Sequence, residues 1–229
     1  METSLHRQLK LRYASSEAET EVVMGDYRID AVRDDELIEI QCASLSAISA
    51  KALTLLKAHR LRVVKPVIDR TRIVKQKSPT GEPYSRRLSP KRGQLADLFE
   101  DLIYFTRVFP HPNLVLEVPI VNVVQTRVPS TKKRRRSWHK DFRVLDVQLE
   151  SIVETHEFRV SADLLSVIQL KTKNPRATSQ AFDTATIAAA IDRPRWVAQK
   201  VAYVLKKVGA IEQISRDKSG IHYQAAKAA

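Results

Sequence analysis

The chain has 229 residues, 43% of them hydrophobic and 28% charged, with only 5 Gly and 10 Pro, which excludes a collagen-like or low-complexity chain and argues against global disorder. Lys and Arg number 39 against 26 Asp and Glu, a formal net charge of +13, and the excess grows along the chain: +2 over residues 1–85, +5 over 86–160 and +6 over 161–229. That balance points to a polyanionic partner, nucleic acid ahead of a membrane surface. A single cysteine, Cys42, excludes an intrachain disulfide and a thiolate zinc cluster, and is expected to be a small buried hydrophobe rather than a nucleophile. No stretch approaches the roughly 18 apolar residues of a membrane span. The opening METSLHRQLKLRY lacks the apolar run of a signal peptide, so a cytoplasmic location is expected.

In chain order, Leu5, Leu9 and Tyr13 recur at i, i+4 and i+8, which predicts a helix over 1–13 with Thr3 or Ser4 as its cap. Strands are expected at 20–24, 27–32 and 37–42. Gly25-Asp26 turns between the first two, and the polar run Arg33-Asp34-Asp35-Glu36 makes a hairpin between the second and third. A helix over 46–59 presents Ile48, Ala52, Leu55 and Leu56, and a strand follows at 62–67. Strand, helix and strand at this spacing form a βαβ unit, which places the two strands parallel in one sheet. Residues 75–93 read as a polar, proline-containing loop or boundary. A helix is expected over 94–109, a strand pair or one bent strand over 114–124 with Pro119 at an edge or bulge, and short extended pieces at 142–147 and 158–160. From 161 the pattern is helix (161–168), helix (183–191, capped by Asp183 or Thr184), helix (196–208, stopped by Gly209), then a hairpin about a turn at 217–220. Three helices and a hairpin are the layout of a winged helix. The domains expected are 1–78, 79–160 and 161–229.

The sharpest chemistry lies in YRIDAVRDDELIEIQ. Asp30 stands inside one strand, and Glu39 and Gln41 share a face of the next. A carboxylate inside an apolar strand is expensive unless it is paired or holds a metal. A tight turn between the strands brings Asp30 and Glu39 within reach of one ion. Two carboxylates, a carbonyl and waters suit Mg2+, or Mn2+ in its place.

The residues Asp30, Glu39-Ile40-Gln41 and their helix–three strands–helix–strand context resemble the PD-(D/E)XK, restriction-endonuclease-like nuclease superfamily, over about 70 of the 229 residues. The resemblance implies an α/β mixed sheet with flanking helices, to which the winged-helix module is appended. It implies that Asp30 and Glu39 bind the metal, that Glu2 is the acid some members carry on the first helix, and that Gln41 replaces the usual Lys. Lys51 on the following helix is the candidate for a displaced Lys. The activity implied is metal-dependent phosphodiester hydrolysis of double-stranded DNA, leaving 5′-phosphate ends. The Gln in place of Lys removes a point charge from the developing phosphorane. The residues therefore also allow a non-catalytic DNA-binding or regulatory protein, with Asp30 at an edge and Glu39 paired to Lys65, or a scaffold within a larger complex.

Two basic sets are candidates for holding the nucleic acid. Lys132, Lys133, Arg134, Arg135, Arg136 and Lys140 surround Trp138, pairing phosphate-binding cations with a ring that stacks on bases. In the C-terminal module, Arg193, Arg195, Gln199 and Lys200 open the third helix, where base edges are read, and Arg216 and Lys218 lie on the wing. No zinc motif, GxGxxG or Walker loop is present.

Overall fold

A computed structural model describes residues 2–16, 19–130, 141–168, 181–218 and 220–226. The expected basic patch at 132–140 lies outside the described residues.

The protein is mixed α/β. A large mixed sheet has the strand order β1-β2-β3-β4-β7-β5-β6, with β8 pairing β7, and a separate two-stranded sheet pairs β9 with β10. The helices are α1 (Ser4–Tyr13), α2 (Ser49–Leu55), α3 (Leu98–Leu102), α4 (Thr184–Ile191) and α5 (Arg195–Lys207). The strands are β1 (Thr20–Met24), β2 (Tyr27–Arg33), β3 (Glu36–Ile40), β4 (Arg60–Val64), β5 (Val67–Gln76), β6 (Pro83–Leu88), β7 (Leu114–Pro129), β8 (Phe142–Phe158), β9 (Ile211–Arg216) and β10 (Ile221–Ala225). Two compact units emerge. The first comprises Met1–Cys42, Val64–Gln94 and Val118–Thr155; the second comprises Ala43–Val63, Leu95–Glu117 and His156–Ala229.

In the first unit, Thr3 caps α1 by accepting a hydrogen bond from the His6 N–H. The predicted stripe of Leu5, Leu9 and Tyr13 is buried against Ala31, Ile38, Ile40, Val64, Val121 and Val123. Each such side chain contributes about 1.5–3 kcal/mol when fully buried. β1, β2 and β3 form an antiparallel meander. Asp34 and Asp35 both have positive φ, 48° and 62°, between the paired residues Arg33 and Glu36. This is the two-residue turn whose twist matches the flanking strands, and short polar Asp side chains tolerate its left-handed backbone. The Gln41 N–H, just past β3, donates to the carbonyl of Val64, the last residue of β4, at 2.8 Å, and β4 neighbours β3 in the sheet.

Several elements differ from the sequence expectation. Residues 75–93 are not all loop: β5 runs to Gln76 and β6 returns antiparallel to it. β6 carries Ser85, Arg86 and Arg87 and no apolar alternation, so period-2 counting misses it. β7 is one strand of 16 residues that passes through Pro119. Its pairing with β5 starts at Val67↔Ile120, just beyond the proline, so the missing N–H costs no bond in that ladder. β8 extends over 17 residues where two short pieces were expected. The helices predicted at 46–59 and 94–109 are shorter, each entered through a 3-10 turn, and 161–168 is entirely 3-10.

The second unit holds α2 to α5 and the β9–β10 hairpin. Val197, Val201, Val204 and Leu205 face inward from α5 as predicted, and Gly209 follows at φ 76°. A single bridge, Phe182↔Tyr223, adds a third extended segment to the hairpin. Asp183 caps α4, its Oδ1 accepting from the Thr186 N–H at 2.8 Å. That bond holds its carboxyl below the usual carboxylate range. Asp183→Ala is expected to cost about 1 kcal/mol. The depressed pKa makes this contribution present at neutral pH and lost as pH falls through the folded-state value. Urea midpoints of the two proteins at pH 7 and in acid check it; a gap that does not narrow in acid counts against the cap.

Candidate functional site

The acidic site is built by α1, β2 and β3 of the first unit. The register Ala31↔Ile38 puts Asp30 and Glu39 one step further along neighbouring strands. There the strands part. The Ile40 N–H donates to Asp30 Oδ2 at 2.8 Å, so a side chain takes a hydrogen bond at the end of the ladder. Glu39 is 5% exposed inside a strand whose last four residues are all buried.

His6 on the first turn of α1 reaches Asp30, and Glu2, just before the helix, and Lys10, one turn on, extend the network. His6 Nε2 lies 3.3 Å from Asp30 Oδ2, and His6 Nδ1 lies 2.7 Å from Glu2 Oε1. Lys10 Nζ reaches Glu2 Oε1 at 2.9 Å and also pairs with Glu21, which pairs in turn with Arg28. The hydrogen bond to Asp30 is the chief reason the His6 pKa is raised to about 9; burial opposes it and Glu2 adds to it. The imidazolium is therefore the form present at neutral pH. Lys10, then His6, holds the Glu2 carboxyl below its ordinary value. Both contacts on Asp30 use Oδ2, leaving Oδ1 open among the described residues.

Of the five predicted catalytic residues, the structure gathers Glu2 and Asp30 around His6, sets Glu39 on the strand beside Asp30 and leaves Gln41 just past that strand's end. Lys51 is on α2, in the second unit. Two further residues have strong claims: His6, to which the sequence reading gives no role, and Lys65, which it gives only as a pairing partner for Glu39. His6 bridges the two acids, and the signal for it was the Glu2–His6–Lys10 spacing of four, one face of a helix. Lys65, 6% exposed, follows Val64, the β4 partner of Gln41. Its charge lowers the Cys42 thiol pKa while the Asp30 carboxylate raises it, both smaller effects than burial. Cys42 is exposed rather than buried, yet neighbouring atoms displace enough water from its sulfur to push its pKa up to about 11. That value leaves it a thiol at neutral pH.

Among the described residues, no three His, Cys, Asp or Glu side chains form a metal-holding group. Mg2+ is characteristically bound through only one or two protein carboxylates, with water and substrate phosphate completing its shell. Asp30, with Oδ1 open, and the neighbouring Glu39 are hard oxygen donors that fit that requirement.

In the second unit, Arg193 forms a two-pronged pair with Asp97 at 3.0 Å, and Lys200 pairs with Glu100 at 3.1 Å and lies over the Trp196 ring at 4.7 Å. Arg195 donates to Thr184 at 3.0 Å. Three of the four cation or amide groups expected at the start of α5 are thus engaged within the unit. Gln199, Arg216 and Lys218 are exposed.

Residues 3–159 match the family described as Domain of unknown function (DUF8091), and the chain belongs to that family. It is also similar, at 28% identity over 164 residues, to an uncharacterized protein of Treponema pallidum (strain Nichols). That similarity covers 71% of this chain and 64% of the relative. No solved structure matches. The family match includes every residue of the acidic site except Glu2 and ends before α4, α5 and the β9–β10 hairpin. No helix among the described residues is long and apolar enough to cross a membrane.

Proposed function

We propose that the chain is a restriction-endonuclease-like nuclease that hydrolyses phosphodiesters of double-stranded DNA with Mg2+ or Mn2+. One observation carries the reading: Asp30 and Glu39 sit side by side where β2 and β3 part, in a helix–three strands–helix–strand order with β4 beside β3. Asp30 and Glu39 hold the ion. When bound, it polarises a phosphoryl oxygen and lowers the pKa of a water. His6 fixes the Asp30 carboxylate from its Oδ2 side, and Glu2 fixes His6. Gln41 offers an amide that donates to, and accepts from, water or a phosphate oxygen without adding charge. Lys65, next in the chain after the Val64 that accepts from Gln41, supplies a cation near that strand end. A winged-helix reading of the C-terminal part is supported by α4, α5, the hairpin and the Phe182↔Tyr223 bridge, and Gln199, Arg216 and Lys218 are then its accessible DNA contacts.

A second reading has a specific observation behind it. The pairing of Asp30 with the His6 imidazolium neutralises a carboxylate that a cation must share, which suits a DNA-binding protein that retains the scaffold without cutting. Titration of Mg2+ or Mn2+ against labelled duplex, single-stranded and branched DNA separates the two. Metal-dependent cleavage that falls by roughly 10²-fold or more in Asp30→Ala and Glu39→Ala, with binding retained, is the expected result. Binding without cleavage on every substrate overturns the nuclease reading and leaves the second. Salt-insensitive behaviour with no binding overturns both.

A further inference from the structure

The edge of the sheet formed by β6, β5 and β7 carries a set of cations that the acidic site does not use. β5 pairs antiparallel with β6 and parallel with β7. The registers align Lys75 with Ser85 and Arg127, and Ile73 with Arg87 and Gln125. Because side chains alternate along each strand, Lys75, Ser85, Arg87, Gln125 and Arg127 all stand on one face. The neighbouring residue Arg72 stands on the other face, where Glu150 pairs with it at 2.7 Å. On the first face no described carboxylate pairs with Lys75, Arg87 or Arg127. Arg127 is held in place: its Nε donates to Gln125 at 2.6 Å and its guanidinium lies 4.0 Å over the Phe142 ring. Its charge is further disfavoured by partial burial and by the Arg87 charge nearby. Arg127, held in place, and Arg87, whose charge acts against it, stand on the same face as Lys75 without a described carboxylate partner, an arrangement that an external anion relieves.

We propose that Lys75, Arg87 and Arg127 form a row that binds the phosphates of a nucleic-acid backbone. The inference takes its substrate class from the reading above. Arg127 stands one strand spacing, about 4.8 Å, from Lys75, and Arg87 stands one strand over and two residues, about 7 Å, along, so the cations form a stepped row over three strands that fits a repeating phosphate chain better than one isolated phosphate. Ser85, opposite Lys75 on β6, and Gln125, two residues before Arg127 on β7, add uncharged hydrogen-bonding groups to the same face. The face presents no large exposed apolar side chain at these positions for insertion into lipid, which favours nucleic acid over an anionic membrane.

The test uses the full chain in EDTA, so that cleavage does not enter. Anisotropy titrations with two labelled duplexes of unrelated sequence are run across a salt series. Lys75→Ala combined with Arg87→Ala is expected to weaken binding about ten-fold or more, equally on both sequences. The slope of log K against log salt becomes shallower by about 2. Arg87→Glu, at an exposed position, repeats the direction of the effect without touching the half-buried lysine. Arg92→Ala, whose guanidinium is already paired with Asp69 at 2.8 Å, leaves the slope unchanged. An unaltered slope in both the double variant and Arg87→Glu, with unfolding midpoints as in the parent, overturns the proposal. So does loss of binding to phosphatidylserine vesicles with duplex binding intact. Duplex binding through this row without metal-dependent cuts fails the nuclease reading alone, and cleavage with an unaltered slope fails the row alone.

Discussion

Arg62→Ala is expected to destabilise the protein by about 3–5 kcal/mol. Arg62 on β4 is 7% exposed, as is Glu117 on β7, and the guanidinium also reaches Glu157 Oε1 at 2.7 Å. Burial alone would raise the Glu157 pKa, but the bonds from Arg62 and then Arg159 hold it low, so one buried cation bridges Glu117 to a Glu157 that Arg159 also supports. Removing the guanidinium takes a charged partner from a Glu117 carboxylate that is 7% exposed, and the desolvation of that charge, rather than the lost attraction alone, sets the size of the effect. Urea unfolding with an unchanged m-value measures it. Arg62→Met with Glu117→Leu, which removes both charges and keeps volume, is expected to recover most of the loss. A single-mutant cost under about 1 kcal/mol would show that relaxation or water entry supports Glu117 instead.

The second large effect is a dependence on pH from His6. Its pKa rises from an ordinary 6.5 to about 9 because it sits between Asp30 and Glu2. At about 1.4 kcal/mol per unit the shift corresponds to at most about 3 kcal/mol of stability, part of which screening at this half-buried site removes. Since the folded-state pKa lies above the unfolded one, the contribution is fully present below about pH 6.5 and is lost as pH rises through about 9. In metal-free protein, His6→Gln is expected to be destabilising at pH 6 and nearly neutral above pH 9.5. An imidazole resonance titrating near 6.5 by NMR would be incompatible with the pairing.

The elements that could be read from the sequence are those whose signal is local. The Leu5–Leu9–Tyr13 stripe, the Asp34-Asp35 turn, the Asp183 cap and the inward face of α5 each occupy one or two turns of chain, and the structure has them where the pattern puts them. β6 was hidden because an exposed edge strand buries no alternating side and needs no apolar residues to form. β8 was broken into pieces because its middle carries exposed Glu150, Glu154 and Gln148 that interrupt any hydrophobic count, while the pairing with β7 comes from far along the chain. The acidic site divides the same way. Asp30 and Glu39 were visible because a two-residue turn joins their strands. The role of His6 was not, because its partner Asp30 is 24 residues away on another element and no local spacing encodes that approach. The Lys75–Arg87–Arg127 row depends on the registers of three strands, one of which was not foreseen.

The Asp34-Asp35 turn also makes the chain intolerant of small changes in length at that point. With only two residues between the paired Arg33 and Glu36, one inserted or deleted residue that slips β3 by a single step exchanges its two faces. Ile38 and Ile40 would leave the α1 core, and Glu39 would enter it. The frame of the acidic site and the frame of the hydrophobic core are thus one and the same, set by two left-handed aspartates. A library of single-residue insertions and deletions should find this short hairpin far less forgiving than its exposed, polar sequence suggests, whereas substitutions to Gly there, which keep the count, should pass.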